Sequence, residues 1–147
     1  KFNTMKKTIL TTFLLFSLTV ISAQNVDSVS QIKQISETLM LYIDGTQNGK
    51  PEKLKKAFHP DFNLYTVTKE DKLRTRSGAK YISNVKEGKK SNRIGRIISI
   101  DYENDAAIAK VEILVPNRIY TDYFLLLKYE GAWKIVHKSY TWKPSKK

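Results

Sequence analysis

The chain has 147 residues, 26 Lys and Arg against 14 Asp and Glu, a formal net charge of +12 and no cysteine. That length corresponds to one domain, large enough to bury a core unaided. The lack of cysteine excludes disulfides, thiolate metal sites and cysteine nucleophiles, while the charge bears on solubility and attraction to anions rather than on fold.

In chain order, Met5-Lys6-Lys7 precedes an apolar run from Ile9 to Ile21 and the small pair Ser22-Ala23. A basic start, a short apolar stretch and a small residue describe a secretory signal peptide. The run falls short of the ~20 apolar residues that a membrane span needs. Cleavage is expected after Ala23, with Lys1 to Thr4 lying upstream of the start at Met5. The single domain is therefore expected over residues 24–147, exported to a periplasm or secreted. Without the three lysines of the leader its charge is +9.

Val26, Val29, Ile32, Ile35, Leu39, Met40 and Ile43 recur at helical spacing, opposite Asp27, Lys33, Gln34 and Glu37. This predicts an amphipathic first helix, ended by Asp44-Gly45 and Asn48-Gly49. Pro51 opens a second helix, Pro51 to Phe58, and Pro60 prevents its continuation. Phe62 to Val67 reads as a strand, with a turn at Lys69 to Lys72 and Leu73 to Arg76 as a short partner. Ser77 caps a third helix that turns Ala79, Ile82 and Val85 inward and stops at Gly88.

From Asn92 to Trp142 the chain is dominated by Val, Ile, Leu, Tyr, Phe and Trp, with breaks at Glu103-Asn104-Asp105, Pro116-Asn117 and Glu130-Gly131. Such a pattern predicts four strands in an antiparallel meander. The three preceding helices are available to cover one face. In the third of these strands Ile119, Tyr123, Leu125 and Leu127 share one face, and Tyr120, Phe124 and Leu126 share the other. Strands apolar on both faces are usually buried on both, so a homodimer through the sheet is expected.

This order of elements, the Phe58-His59-Pro60-Asp61 turn and the closing Gly131-Ala132-Trp133-Lys134-Ile135-Val136 hairpin resemble the nuclear transport factor 2-like superfamily. Thr121-Asp122-Tyr123-Phe124-Leu125-Leu126-Leu127-Lys128, followed by Trp133-Lys134-Ile135-Val136, most resembles its putative lumazine-binding subgroup of exported bacterial proteins. The resemblance implies an α+β, cone-like fold, with three N-terminal helices packed on a strongly bent, mostly antiparallel sheet and a pocket at the open end. It also implies a pterin-like ligand. The superfamily includes ketosteroid isomerase, whose pattern places a helix-one tyrosine at Tyr42, a base at about Thr66 and an oxyanion acid at Leu125. Threonine is no carboxylate base and leucine donates no hydrogen bond, so isomerase chemistry is not expected. Asp122, singled out by the resemblance alone, alternates with Tyr123 and is expected at the dimer face or a strand edge.

His59 and His137 are the only histidines. His59 with Asp61 is either a general base with its orienting carboxylate or a pair serving backbone groups in the turn. His137 alternates with Ile135 and Ser139 and reads as a strand residue. No metal-ligand spacing, phosphate loop or nucleophile elbow appears, so neither a metal nor a cofactor is expected. Tyr42, Phe58, His59, Tyr65, Tyr81, Tyr123, Leu125, Tyr140 and Trp142 are candidates to line a pocket, in keeping with the apolar, aromatic character of ligand sites. Basic clusters at Lys50 to Lys56, at Lys86, Lys89, Lys90, Arg93 and Arg96, and in the tail lack any nucleic-acid motif. They read as solvated surface.

The expected function is therefore an exported, non-catalytic binder of a small planar molecule. One alternative is an isomerase-, cyclase- or hydrolase-like enzyme using Tyr42, His59 and Asp61. Another is a protein-interaction module using the sheet.

Overall fold

A computed structural model of the chain describes residues 30–145. The leader, the helix positions Val26 and Val29, and the last two lysines lie outside the described residues. The chain divides into two units between Lys33 and Gln34. In the first, residues 30–33 are helical and Ile32 is partly exposed. The sheet and the helices that cover it belong to the second unit. No helix among the described residues is long and apolar enough to cross a membrane.

Helix α1 covers residues 34–48 of this unit, followed by α2 (Pro51–Ala57), β1 (Phe58–Val67), β2 (Leu73–Ser77) and α3 (Gly78–Ser83). The meander then runs β3 (Ile94–Glu103), β4 (Ala106–Val115), β5 (Arg118–Tyr129) and β6 (Ala132–Pro144). The six strands form one sheet in the order β2-β1-β6-β5-β4-β3. Every neighbouring pair is antiparallel except β1 with β6. This is the expected α+β class, helices against one face of a mostly antiparallel sheet.

The stripe that anchors α1 is Ile35, Leu39, Tyr42 and Ile43, all buried, at the spacing of one helix face. Met40, expected inside, is half exposed. The next turn is fixed by Asp44, whose carboxylate takes hydrogen bonds or ion pairs from Asn48, Lys50 and Lys53, the last at 2.6 Å. Gly49 closes the helix at φ 61, a left-handed conformation that glycine adopts without a Cβ penalty.

Extended backbone begins at Phe58, four residues before the expected start at Phe62. Phe58 pairs in parallel with Ile135, and its ring stacks on Phe62 with centroids 3.8 Å apart; burying both rings outweighs one more helical turn. The third helix is shorter than expected and Ala79 is exposed, while Tyr81, Ile82 and Val85 pack on the core. Its backbone approaches the sheet at Gly78, where a Cβ would collide with the Phe62 ring.

Across the meander the helix-covered face carries Ala107, Ala109, Val111 and Ile113 of β4, Phe124 and Leu126 of β5, and Trp133 and Ile135 of β6. The other face leaves Ile108, Tyr123, Leu125 and Leu127 exposed. One irregularity sets the facing of the last strand. Leu126 pairs with Ile135 but Leu125 pairs with His137, so Val136 is an extra residue on β6. Such a bulge reverses the facing of everything beyond it. Trp133 and Ile135 point inward before it, and Lys138 and Tyr140 after it. His137, expected to share a face with Ile135, instead lies on the outer face, stacked on Tyr65 at 4.9 Å.

Candidate functional site

Three polar side chains meet in the core beyond the bulge. Tyr42 comes from the middle of α1, Asp122 from the inner face of β5, and Lys138 from β6, where it sits directly opposite Phe124. All three are buried, at 1%, 1% and 4% exposure. The Tyr42 hydroxyl donates to Asp122 Oδ2 at 2.5 Å. Lys138 Nζ donates to the Tyr42 oxygen at 2.7 Å and pairs with Asp122 Oδ2 at 2.8 Å.

Removing two opposite charges from water costs several kcal/mol each, offset only when the geometry is close and the hydrogen bonds are complete. Here the ammonium is also ringed by π faces. Nζ lies 4.7 Å from the Tyr42 ring centre, 5.4 Å from Tyr140, 5.5 Å from Tyr81 and 5.6 Å from Phe124. Each such face attracts a cation through its quadrupole. Burial, and then the neighbouring Asp122 charge, hold the Tyr42 phenol well above its usual range, so it stays a neutral donor.

This trio closes the inner end of a cavity of about 530 Å³. Its walls are Tyr81, Tyr120 and Tyr140 with the aliphatic Leu64, Ile113 and Val115, and Arg74, Arg76 and Arg93 complete it at the more exposed end. The volume is that of a site for a drug-sized ligand, and its lining combines aromatic and aliphatic walls with five charged side chains, more polar than the usual ligand pocket.

The residues singled out in the sequence are distributed over several places. Tyr42, Tyr81 and Tyr140 line this cavity. Phe58 is a core residue behind it, with its ring 5.8 Å from Tyr42. Phe58 and His59 instead border a second, apolar depression of about 690 Å³ beside α2 and α3. There His59 Nδ1 accepts the Asp61 backbone N–H at 3.2 Å. The Asp61 carboxylate, 93% exposed, stands 4.0 Å away, so it does not orient the ring. Tyr65, Tyr123 and Leu125 lie on the outer face of the sheet, where Tyr123 and Leu125 border a groove with His137 and Ser139. Trp142 lies near the strand end, beneath the Arg118 guanidinium at 4.5 Å. Thr66 is half buried and its hydroxyl bonds backbone. Asp122 does alternate with Tyr123, but its face is the inside, because α1 covers that face. Lys138, Arg74 and Arg76 went unnoticed in the sequence, and Arg93 was read there as solvated surface. The visible signal was the alternation Arg74-Thr75-Arg76 in a strand.

Among the described residues no three His, Asp or Glu side chains gather to hold a metal ion.

This arrangement has the nuclear transport factor 2-like fold. An NTF2-like protein of unknown function from Shewanella baltica OS155 is similar with a TM-score of 0.70 and 28% identity, covering 80% of this chain and 97% of that one. An NTF2-like protein from Methylobacillus flagellatus KT gives 0.68 and 31%, covering 78% and 94%. The aldolase FrzH of a Cladobotryum species is 27% identical over 111 residues, 74% of this chain and 89% of that protein. Residues 30–141 match the family described as Putative lumazine-binding. The chain belongs to that family.

Proposed function

We propose that this protein binds a small, planar molecule in the Tyr42–Asp122–Lys138 cavity, holding a ligand oxygen at Lys138 and a ring among Tyr81, Tyr120 and Tyr140. One observation carries the reading. An ammonium has three donors, and Lys138 spends two on Tyr42 and Asp122 while lining an open cavity. The third is available to a ligand acceptor in a site ringed by aromatic faces. The family's description, lumazine-binding, supports a fused heteroaromatic ring as the first class to try. An open, lined cavity counts against the reading as a pure interaction module.

The test is thermal unfolding against lumazine, pterins, flavins, steroids and sugars. A ligand that binds only the folded state adds about 2.7 kcal/mol at a hundred times its Kd, a clear rise in midpoint. No rise with any planar compound refutes the reading. The signal-peptide pattern of Met5 to Ala23 supports export, which the mass of the protein recovered from outside the cytoplasm checks.

A second reading adds a chemical step to the same cavity. Its support is the Lys138–Asp122–Tyr42 trio together with the name of one relative, an aldolase. A ligand carbonyl oxygen at Lys138 would be stabilised as it becomes an enolate oxygen. Asp122 would take the proton from the adjacent carbon and return it. Incorporation of solvent deuterium next to the carbonyl of a bound ketone, lost in Asp122→Asn, supports this reading; absence of exchange with a ketone shown to bind sinks it.

A further inference from the structure

The outer end of the cavity is cationic. Arg74, Arg76 and Arg93 line it with Lys138, against a single carboxylate, Asp122. That carboxylate is already engaged by Lys138 and Tyr42. None of the three guanidiniums has an ion pair among the described residues, whereas Arg96, two positions from the end of its own strand, is paired with Glu112. Glu70 feels the charge of Arg74 from a distance, but no carboxylate among the described residues forms a contact pair with any of the three.

Arg93 sharpens the point. Its Nε is buried without a hydrogen-bond partner, singular in this respect among the described side chains. A buried donor left unsatisfied costs about 1–3 kcal/mol, and more when charged. A structure keeps such a group where something else completes it. Arg93 also borders a shallower depression lined by Gln47 and Ser91, but only the aromatic cavity brings it together with two further guanidiniums. Arg74 and Arg76 stand two apart on β2, hence on one face, and their partners across the ladder are Thr66 and Leu64. Leu64 is itself a cavity residue.

Resting on the small-molecule reading above, we propose that the ligand is a ring-bearing carboxylate. Its anionic oxygens are received by Arg93 with Arg76 and Arg74, and its ring extends inward between the tyrosines toward Lys138. A guanidinium presents parallel N–H donors that match the two oxygens of a carboxylate. Three of them leave the empty site strongly positive, which a neutral ligand would not relieve. The walls supply the ring's share of the binding, since aromatic side chains stack on planar rings with little loss of freedom.

The experiment uses matched pairs: pterin-6-carboxylate against pterin, and 2-naphthoate against 2-naphthamide, with inorganic phosphate as the ringless anion. Binding is measured by calorimetry to the wild type, Arg93→Gln and the double variant Arg74→Gln/Arg76→Gln. Each acid is expected to bind at least about tenfold more tightly than its neutral partner, with the advantage falling as salt rises. Arg93→Gln should reduce acid binding by about ten- to a hundredfold and weaken the neutral compound by much less. The double variant lies at the exposed end and keeps the test open should Arg93→Gln fold poorly. Equal binding of acid and neutral partner overturns the carboxylate assignment while the planar-ligand reading survives. Phosphate binding as tightly as the acids overturns the ring. No binding by any of the ring compounds overturns both readings together.

Discussion

Replacing Lys138 by methionine tests whether the polar trio is shut away from water. Methionine keeps most of the stem's volume and removes the charge, leaving Asp122, 1% exposed, with only the Tyr42 hydroxyl as partner. Breaking a buried ion pair from one side costs about 3–5 kcal/mol, because the remaining charge is stranded away from water. For a unit of this size about 4 °C of Tm accompanies each kcal/mol, so the midpoint should fall by roughly 12–20 °C. Asp122→Asn should cost less than Lys138→Met, since the amide keeps a hydrogen-bond acceptor for Tyr42. The double variant should be milder than the sum, with a coupling of about 2 kcal/mol. Urea unfolding followed by circular dichroism at neutral pH supplies all four corners of the cycle. A single variant within about 1 kcal/mol of the wild type, or costs that simply add, would refute the argument that these groups share one dry network.

Asp44 is held down from 3.8 to about 2, chiefly by its hydrogen bond from Lys53 and then by Asn48. A depressed carboxyl contributes stability above its unfolded value and loses it as pH falls toward the folded one. The advantage of wild type over Asp44→Asn should therefore be full above pH 4 and vanish as pH falls from there toward 2 in urea melts; a constant difference would contradict it. Gly78→Ala would push a methyl group into the Phe62 ring, so it should cost about 1–3 kcal/mol by overpacking, and a neutral outcome in the same assay would show that α3 shifts freely. The outer sheet face, with Ile108, Tyr123, Leu125 and Leu127 exposed, is proposed as a homodimer surface. Light scattering should give twice the chain mass for wild type and the single mass for Leu125→Glu, whereas a wild-type monomer would remove the proposal.

The fold was legible because its cues were local. Glu103-Asn104-Asp105 and Glu130-Gly131 fall at turns, with Asn104, Glu130 and Gly131 all at positive φ. Ile35, Leu39 and Ile43 marked the helix face that is buried. The site was legible only in part. Tyr42, Tyr81 and Tyr140 stood out as aromatic, yet Lys138 was hidden because strict alternation from Ile135 assigns position 138 to the outer face. The phase reverses at Val136 through a pairing choice that no residue type announces. Arg93 was grouped with Lys86, Lys89, Lys90 and Arg96 as solvated charge. The backbone separates them, turning Arg93 toward the cavity while Arg96 pairs across the strands with Glu112. Burial on the inner side of β5 also depends on which face the helices cover, and the pattern of Ile119 to Leu127 was equally apolar on both.

The extra residue at Val136 divides β6 between two tasks. Below it, Trp133 and Ile135 belong to the dry interior that keeps the chain folded; above it, Lys138 and Tyr140 furnish the chamber. Substitutions beyond the bulge can thus alter the lining of the chamber while the lower interior stays intact. Pairing Val136 regularly in place of the bulge would turn the upper strand over, sending Lys138 to solvent and His137 into the chamber, whereas deleting Val136 would leave Ile135, His137 and Lys138 on their present faces. A shift of pairing by a single residue would replace the chemistry wholesale, where a change of residue type would only tune it.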